Sequence, residues 1–367
     1  MKSLLRSWQK TRNPILRITS SNITKNWIHW DFNEGEFSLW DWSQEPSETL
    51  RELYDRRARH LRNKFQHLAL EFSGGADSWN MLYSFCRQGL HVDTIIHKFA
   101  EKTISDRNDL SSENQWAEGV FQAWPSFQTL LELNPRMKWN TWNIEENIID
   151  SWQGNTVDLF FHNNLHPGAI IKTPDQSNIN PFAIPEVPTT GYLLGIDKPN
   201  VLLKDNGWYM YFPDGPVINR SVMERSILDI GWTDVLWYWD AECIPLMIKQ
   251  GHVIRNYFRN NPNKLPLLTH RPSYLAIVNQ LIYPEYQPMW QSKKAQGLFA
   301  VTSEDWFINQ YEHLSTQKWH QNLNQYSNHV ESITANTDFK NYTNKDVAAD
   351  YTILSDCWSK YYYLGPK

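Results

Sequence analysis

Cysteine is scarce in this sequence: Cys86, Cys243 and Cys357 are the three among 367 residues, far apart and with no CxxC pair. An odd, scattered count argues against a disulfide framework and a tetrahedral zinc cage, and points to a reducing compartment. Long apolar runs are missing as well. No stretch approaches the ~20 apolar residues of a membrane span, and Leu4-Leu5 near the start is far too short for a signal-peptide core. The expectation is a cytoplasmic protein with no membrane partner, in which triplets such as Asn22-Ile23-Thr24 carry no glycan. Nor is there an excess of positive charge, since 40 acidic against 35 basic residues leave a formal charge of -5. Nucleic acid or an anionic surface would therefore have to be met by a local patch. What the chain has in quantity is aromatic. With 19 Trp, 17 Tyr and 16 Phe in a hydrophobic fraction of 41%, a few large rings can fill a sizeable core. At ~150 residues per domain, the length fits one large α/β domain with decorations or two modest domains.

Residues 24 to 44 alternate aromatic and polar positions around Asn33-Glu34-Gly35-Glu36, the pattern of an N-terminal β-hairpin. From Ser47 to about Gln66, Leu50, Leu53, Tyr54, Ala58, Leu61 and Phe65 recur at three- and four-residue steps and predict an amphipathic helix. The basic residues among them, Arg56, Arg57, Arg59, Arg62 and Lys64, read as a solvated face rather than a polyanion site. Residues 68–72 read as a strand, 73–78 as a turn, and 79–89 as a helix. Further strands are expected at 92–99, 139–144 and 192–196, a helix over 113–122 capped by Ser111 or Ser112, and a hairpin over 201–212 about Asn206-Gly207. Alternating strands and helices predict an α/β protein with a Rossmann-like parallel sheet, right-handed crossovers, and a ligand loop at the carboxyl edge. Beyond 220 the pattern turns helical, with Pro245 in a first turn and Ile248, Ile254, Tyr257 and Phe258 at helical spacing. The domain expectation is thus 1–66 for the N-terminal hairpin and helix, 67–215 for the α/β core, 216–330 for a mostly helical C-terminal region, and 331–367 for a weakly structured tail around Tyr361, Tyr362 and Tyr363.

Most of the chemistry lies in Ser73-Gly74-Gly75-Ala76-Asp77-Ser78. Small residues between a strand and a helix let successive backbone N–H groups converge on one anion, to which the helix N-terminus adds partial positive charge. Phosphate is the natural guest. Gly74 and Gly75 permit close backbone approach, Ser73 and Ser78 bring hydroxyl donors, and Asp77, which repels phosphate, implies a cation between them. Magnesium takes a carboxylate plus substrate phosphate oxygens, so Asp77 is the candidate metal ligand; its alternative is an ordinary N-cap. No Gly-Lys-Ser/Thr follows, which excludes a Walker loop, and GxGxxG spacing is absent.

In this context, the six residues resemble the Ser-Gly-Gly-x-Asp-Ser loop of the PP-loop, or N-type, ATP pyrophosphatases. The resemblance implies the adenine nucleotide alpha hydrolase-like fold, with ATP and Mg2+ as cofactors. It implies cleavage of ATP between its α and β phosphates, pyrophosphate held on Ser73 to Ser78, and transfer of AMP to a substrate oxygen. A nucleophile then displaces AMP. The stretch Thr189-Thr190-Gly191-Tyr192-Leu193-Leu194-Gly195-Ile196-Asp197-Lys198-Pro199 is similar to a segment of asparagine-synthetase-like proteins encoded by tailed phages, and the likeness runs from about residue 27 to about residue 325. It ends a strand with a glycine, an acid and a lysine, placed at the same sheet edge as the first loop. Lys198 would neutralise charge developing on the α-phosphate and Asp197 would help hold magnesium; the alternative is a turn with solvent-facing charges.

The sequence also departs from the family. Lys2 stands where glutamine-dependent asparagine synthetases carry a nucleophilic cysteine, so no glutaminase is expected there, and the nitrogen donor is ammonia, an amine or a separate protein. Trp79 replaces the small hydroxyl residue of many relatives. Cys357, in Ser355-Asp356-Cys357-Trp358, is unlike the catalytic tail of the adenylylsulfate reductases and reads as an inert thiol. The expected activity is an AMP-forming ligase acting on a small-molecule acceptor and a nitrogen donor, in the host cytoplasm if phage-encoded. The alternatives are modification of a nucleoside or nucleic-acid base, and a reductase-like or catalytically inactive nucleotide-binding protein.

Other constellations are weaker. Ser105-Asp106-Arg107 follows the second strand, where the family places adenosine. His162 and His166 have metal-ligand spacing only if helical, which Pro167 and Gly168 oppose. Lys249, His252, Arg255 and Arg259 share a helix face that reads as solvated before it reads as an anion guide, and Lys293-Lys294 has the same two readings. Tyr283-Pro284-Glu285-Tyr286 and Trp306-Phe307-Ile308 read as packing rather than base-stacking platforms.

Overall fold

Thr49 sets the start of the first long helix, α1 (Leu50–Lys64). Its hydroxyl accepts from the Glu52 N–H at 3.2 Å while the Glu52 carboxylate accepts from the Thr49 N–H at 2.8 Å, a closed capping box. The expected apolar stripe is buried at Leu53, Tyr54, Ala58 and Leu61. Its basic residues divide: Arg56, Arg59 and Lys64 are exposed, as a solvated face requires, whereas Arg57 and Arg62 are drawn into the packing. Arg57 is buried and pairs with Asp240 at 2.8 Å, Arg62 pairs with Asp93 at 2.6 Å, and Lys64 with Glu242 at 2.5 Å. The carboxylates come from distant parts of the chain, so spacing within the helix could not reveal them.

The computed structural model describes residues 34–99, 118–143, 182–195, 198–212, 232–290 and 359–367. After α1 come β1 (His67–Glu71), α2 (Ala76–Cys86), β2 (Thr94–Phe99), a π-helical turn (Glu118–Ala123), α3 (Trp124–Leu133), β3 (Trp139–Asn143) and β4 (Thr190–Leu194). They are followed by β5 (Asn200–Lys204), β6 (Gly207–Tyr211), β7 (Thr233–Leu236), α4 (Ile244–Asn260), α5 (Arg271–Ile282) and β8 (Tyr362–Pro366). The chain is α/β. Five strands pair in the order β3-β2-β1-β4-β7, every pair parallel, an arrangement compatible with Rossmann-like folds. Ring contacts join its helices to the sheet: Phe85 of α2 lies 5.5 Å from Trp237, and Phe127 of α3 lies 6.1 Å from Phe72. The aliphatic centre is fully buried at Leu68, Leu70, Ile95 and Leu193.

Several boundaries differ from expectation. The sheet draws its fifth strand, β7, from beyond residue 215; the strand is four residues long and runs straight into the buried Trp237-Tyr238-Trp239, so it offers no alternation to read. Residues 34–37 form a helical turn instead of a hairpin bend. Phe37 and Trp42 are the buried residues there, joined by a 2.7 Å bond from the Trp42 indole N–H to the Phe37 carbonyl, whereas Leu39 is 83% exposed. The rest of the expected hairpin, residues 24–33, lies outside the described residues. The α-helix of the second crossover begins at Trp124, with Pro125 in its first turn. Its proposed caps Ser111 and Ser112 lie outside the described residues. Pro245 does open α4, in which Ile248, Ile254 and Phe258 are buried.

β5 and β6 form the expected antiparallel hairpin, with the turn one residue earlier than predicted. Lys204 pairs with Gly207, and the two loop residues Asp205 and Asn206 have φ of 50° and 63°. Left-handed dihedrals at both positions make the type I′ turn that suits strand twist. β8 adds to β6, burying Tyr362 and Leu364, so part of the expected weak tail is a strand of this second, three-stranded sheet. Among the described residues no helix is long and apolar enough to cross a membrane. Cys86 and Cys243 are buried free thiols, pushed up by burial to about 12 and about 11; Cys357 lies outside the described residues.

Candidate functional site

In the parallel sheet, the chain order turns back between β1 and β4, since β2 follows on one side of β1 and β4 lies on the other. Ligands in open α/β sheets bind outside the carboxyl ends of the strands at such a switch point. The residues that follow β1 are Ser73 to Ser78, and those that follow β4 are Gly195 and, after a short gap, Lys198.

Each small residue of the loop has a steric reason. Gly74 adopts φ +76°, and a Cβ there would stand 2.5 Å from Ala123 Cα, so no side chain fits. Gly75 is the extended N-cap of α2 and brings no side-chain cap. The first helical bond runs from the Trp79 N–H to the Gly75 carbonyl at 2.9 Å, which leaves the N–H groups of Ala76, Asp77 and Ser78 ahead of it. Hydroxyls knit the loop together: Ser78 Oγ accepts from the Ser73 N–H at 3.2 Å and lies 3.2 Å from Ser73 Oγ, which accepts from the Gly75 N–H at 3.3 Å. Gly195 lets β4 abut this turn, because a Cβ on it would come 3.1 Å from Ser78 N.

Asp77 and Lys198, 121 residues apart, meet here. Lys198 Nζ lies 2.8 and 2.9 Å from the two Asp77 carboxylate oxygens. The Tyr283 hydroxyl donates to Asp77 Oδ1 at 2.6 Å, and the Tyr238 hydroxyl donates to the Asp77 carbonyl at 2.8 Å while accepting from Asn80 at 3.1 Å. Burial holds both phenols well above the usual tyrosine range, and the Asp77 charge adds to it. Both are therefore neutral donors. Lys198 is neither solvent-facing nor alone: its side chain is 14% exposed and its ammonium lies 5.7 Å from the Tyr283 ring centroid.

The second set of contacts grips the other end of the loop. Gln122 Nε2 and the Tyr286 hydroxyl donate to the Gly74 carbonyl at 2.8 and 3.2 Å. Trp79 stacks on Tyr83 at 4.6 Å and meets Tyr286 edge-on at 5.6 Å, so its bulk packs against one of the two donors. Tyr283 and Tyr286 read as packing residues in the sequence, and Tyr238 and Gln122 attracted no attention. The three-residue step from Tyr283 to Tyr286 was visible, but nothing local ties it to a loop over 200 positions earlier.

Of the remaining candidates, three on α4 are engaged elsewhere. Lys249 pairs with Glu45 at 2.8 Å, His252 is buried with Nε2 2.9 Å from the Trp42 carbonyl, and Arg255 donates to the Leu364 carbonyl. The expected solvated face of α4 is thus largely engaged in packing. Asp197, Ser105 to Arg107, His162, His166, Lys293 and Lys294 lie outside the described residues. No group of three or more His, Cys, Asp or Glu that could hold a metal occurs among the described residues. Toward a cation that shares its shell with phosphate, Asp77 offers one carboxylate, and both of its oxygens lie on Lys198 Nζ. Compared with protein-family models, curated proteins and solved structures, the chain matched none.

Proposed function

We propose that the chain is an ATP pyrophosphatase of the adenine nucleotide alpha hydrolase-like class. It adenylates a carboxylate or carbonyl oxygen of a small-molecule acceptor, releases pyrophosphate, and lets a nitrogen nucleophile displace AMP. The nearest named chemistry is asparagine-synthetase-like ligation. The observation that carries the reading is the meeting of an uncapped glycine loop with Lys198 at the switch point of the sheet. The N–H groups of the first α2 turn and the hydroxyls of Ser73 and Ser78 bind the diphosphate. Lys198 supplies a cation beside it for charge developing on the α-phosphate. Asp77 holds magnesium, with Asp197 as a further ligand; magnesium when bound offsets phosphate charge. Tyr283 keeps the Asp77 carboxylate in place whether or not Lys198 is on it.

The test supplies the full chain with ATP and magnesium, screens amino acids, nucleosides and ammonia, and measures pyrophosphate and phosphate separately. AMP and pyrophosphate in equal amounts, dependent on one acceptor, is the expected result. Phosphate without pyrophosphate overturns the mechanism.

A further inference from the structure

The Gly74 carbonyl receives two hydrogen bonds, from Gln122 and from Tyr286, and neither donor belongs to the loop. Gln122 is 5% exposed and sits in the π-helical turn, an uncommon geometry that recurs at functional sites. Its amide uses its full bonding capacity. Nε2 donates to Gly74 O and to Ser126 Oγ, both at 2.8 Å, while Oε1 accepts from the Met289 and Trp290 N–H groups at 2.9 and 3.0 Å. That network fixes the amide orientation, because two backbone N–H groups can face only an oxygen.

The peptide between Gly74 and Gly75 is trans, so its carbonyl and its N–H point in opposite directions. Gripping the carbonyl from the side of Gln122 and Tyr286 therefore turns the Gly75 N–H the other way, toward Ser73 Oγ, its present acceptor at 3.3 Å. Glycine at both positions leaves this peptide free to rotate unless something holds it. We infer that Gln122 and Tyr286 are positioning residues of the anion site: together they lock the Gly74–Gly75 peptide with its N–H on the Ser73 side, from which a diphosphate would take it over. The inference rests on the reading of the loop as a diphosphate site and adds two residues to it, one from the π turn and one from the segment after α5. Neither touches the ligand.

Calorimetric titration of the full chain with inorganic pyrophosphate and magnesium tests it, alongside urea unfolding of each variant. Tyr286→Phe removes one donor and should weaken pyrophosphate binding about fivefold, the value of one ordinary hydrogen bond. Gln122→Met, of similar shape, should weaken it about tenfold or more, since the amide grips at shorter range. A merely structural role would lower the urea midpoint and leave the affinity of the folded protein unchanged. Wild-type binding with both folded variants binding equally well overturns the inference and spares the proposed function. No pyrophosphate binding by the wild-type chain overturns both. Should Gln122→Met fail to fold, Tyr286→Phe decides alone, with unchanged affinity counting against the inference.

Discussion

Two helices of this chain begin in opposite ways. At the start of α1, Thr49 and Glu52 satisfy each other's backbone N–H groups, and the first-turn acid bends back onto its own cap. At the start of α2, Gly75 offers no side chain, and the first-turn acid, Asp77, turns away to Lys198 and Tyr283. A capped helix is stabilised locally by about 1 kcal/mol. An uncapped one forgoes that gain and keeps its donors for a ligand. On the proposed function, the difference separates a terminus built for stability from one built for binding. The distant groups that converge on residues 74 to 78 are all donors: Gln122 and Tyr286 bind the Gly74 carbonyl, Tyr238 the Asp77 carbonyl and Tyr283 the Asp77 carboxylate, so they fix the loop without using its N–H groups.

The hardest way to break the comparison is to fill the open terminus. Gly74→Ala places a methyl group against the Ala123 backbone at a left-handed dihedral, so neither backbone nor side chain can yield cheaply. A loss of about 2 to 5 kcal/mol in urea unfolding is expected. A near-neutral result would mean that the π turn moves aside and the loop is held less tightly than its contacts imply. Next in size is Asp77→Asn, which keeps the shape of the side chain and removes its charge. Magnesium-dependent pyrophosphate release should fall by about a hundredfold, with the fold intact by circular dichroism. Undiminished turnover would strip Asp77 of its role and leave its pairing with Lys198 a structural contact.

How far this contrast could be read from residues alone differs between its two sides. β1, the glycine turn and the start of α2 are written in local order, a short apolar run, small residues, then helical spacing, and all three lie within a few residues of where that order puts them. Lys198 was placed at the same edge by chain topology, which needs only the strand that precedes it. Tyr283 and Tyr238 escaped because their role depends on a hydroxyl, while their surroundings are apolar enough to bury both rings. In a chain so rich in aromatic residues, one that packs and one that also donates have the same periodicity. Arg57 and Arg62 of α1 depart from the solvated face for a related reason: alternation of basic and apolar positions looks alike whether the partner is water or Asp240 and Asp93.

Tyr283→Phe sharpens the comparison at smaller scale. It deletes the hydroxyl that donates to Asp77 at 2.6 Å and leaves a ring to fill the same space against Tyr54 and Tyr238. Asp77 has partial access to solvent and can recover some hydration, so the expected loss of stability in thermal unfolding is about 1 to 2 kcal/mol. The magnesium concentration needed for half-maximal turnover should rise at the same time. A stability loss with no change in magnesium dependence would assign the phenol to packing alone.

The smallest effect belongs to the closed terminus. Thr49→Ala removes the hydroxyl from the capping box and should cost about 1 kcal/mol, with no change in pyrophosphate release, since the Thr49 hydroxyl bonds with Glu52 and not with the glycine loop. Its pH dependence identifies the partner. Hydrogen bonds from the Thr49 backbone and then its side chain hold the Glu52 carboxyl below the ordinary glutamate value. A depressed carboxyl contributes stability that is fully present above the unfolded pKa, about 4.3, and is lost as the pH falls through the folded one. The gap between wild type and Thr49→Ala should thus be widest at neutral pH and narrow as Glu52 takes up its proton, which unfolding curves at pH 7 and in mild acid would show. A gap that stayed constant would mean that the Thr49 hydroxyl acts through the Glu52 N–H alone, and that its own bond to the Glu52 carboxylate at 2.9 Å contributes nothing to the cap.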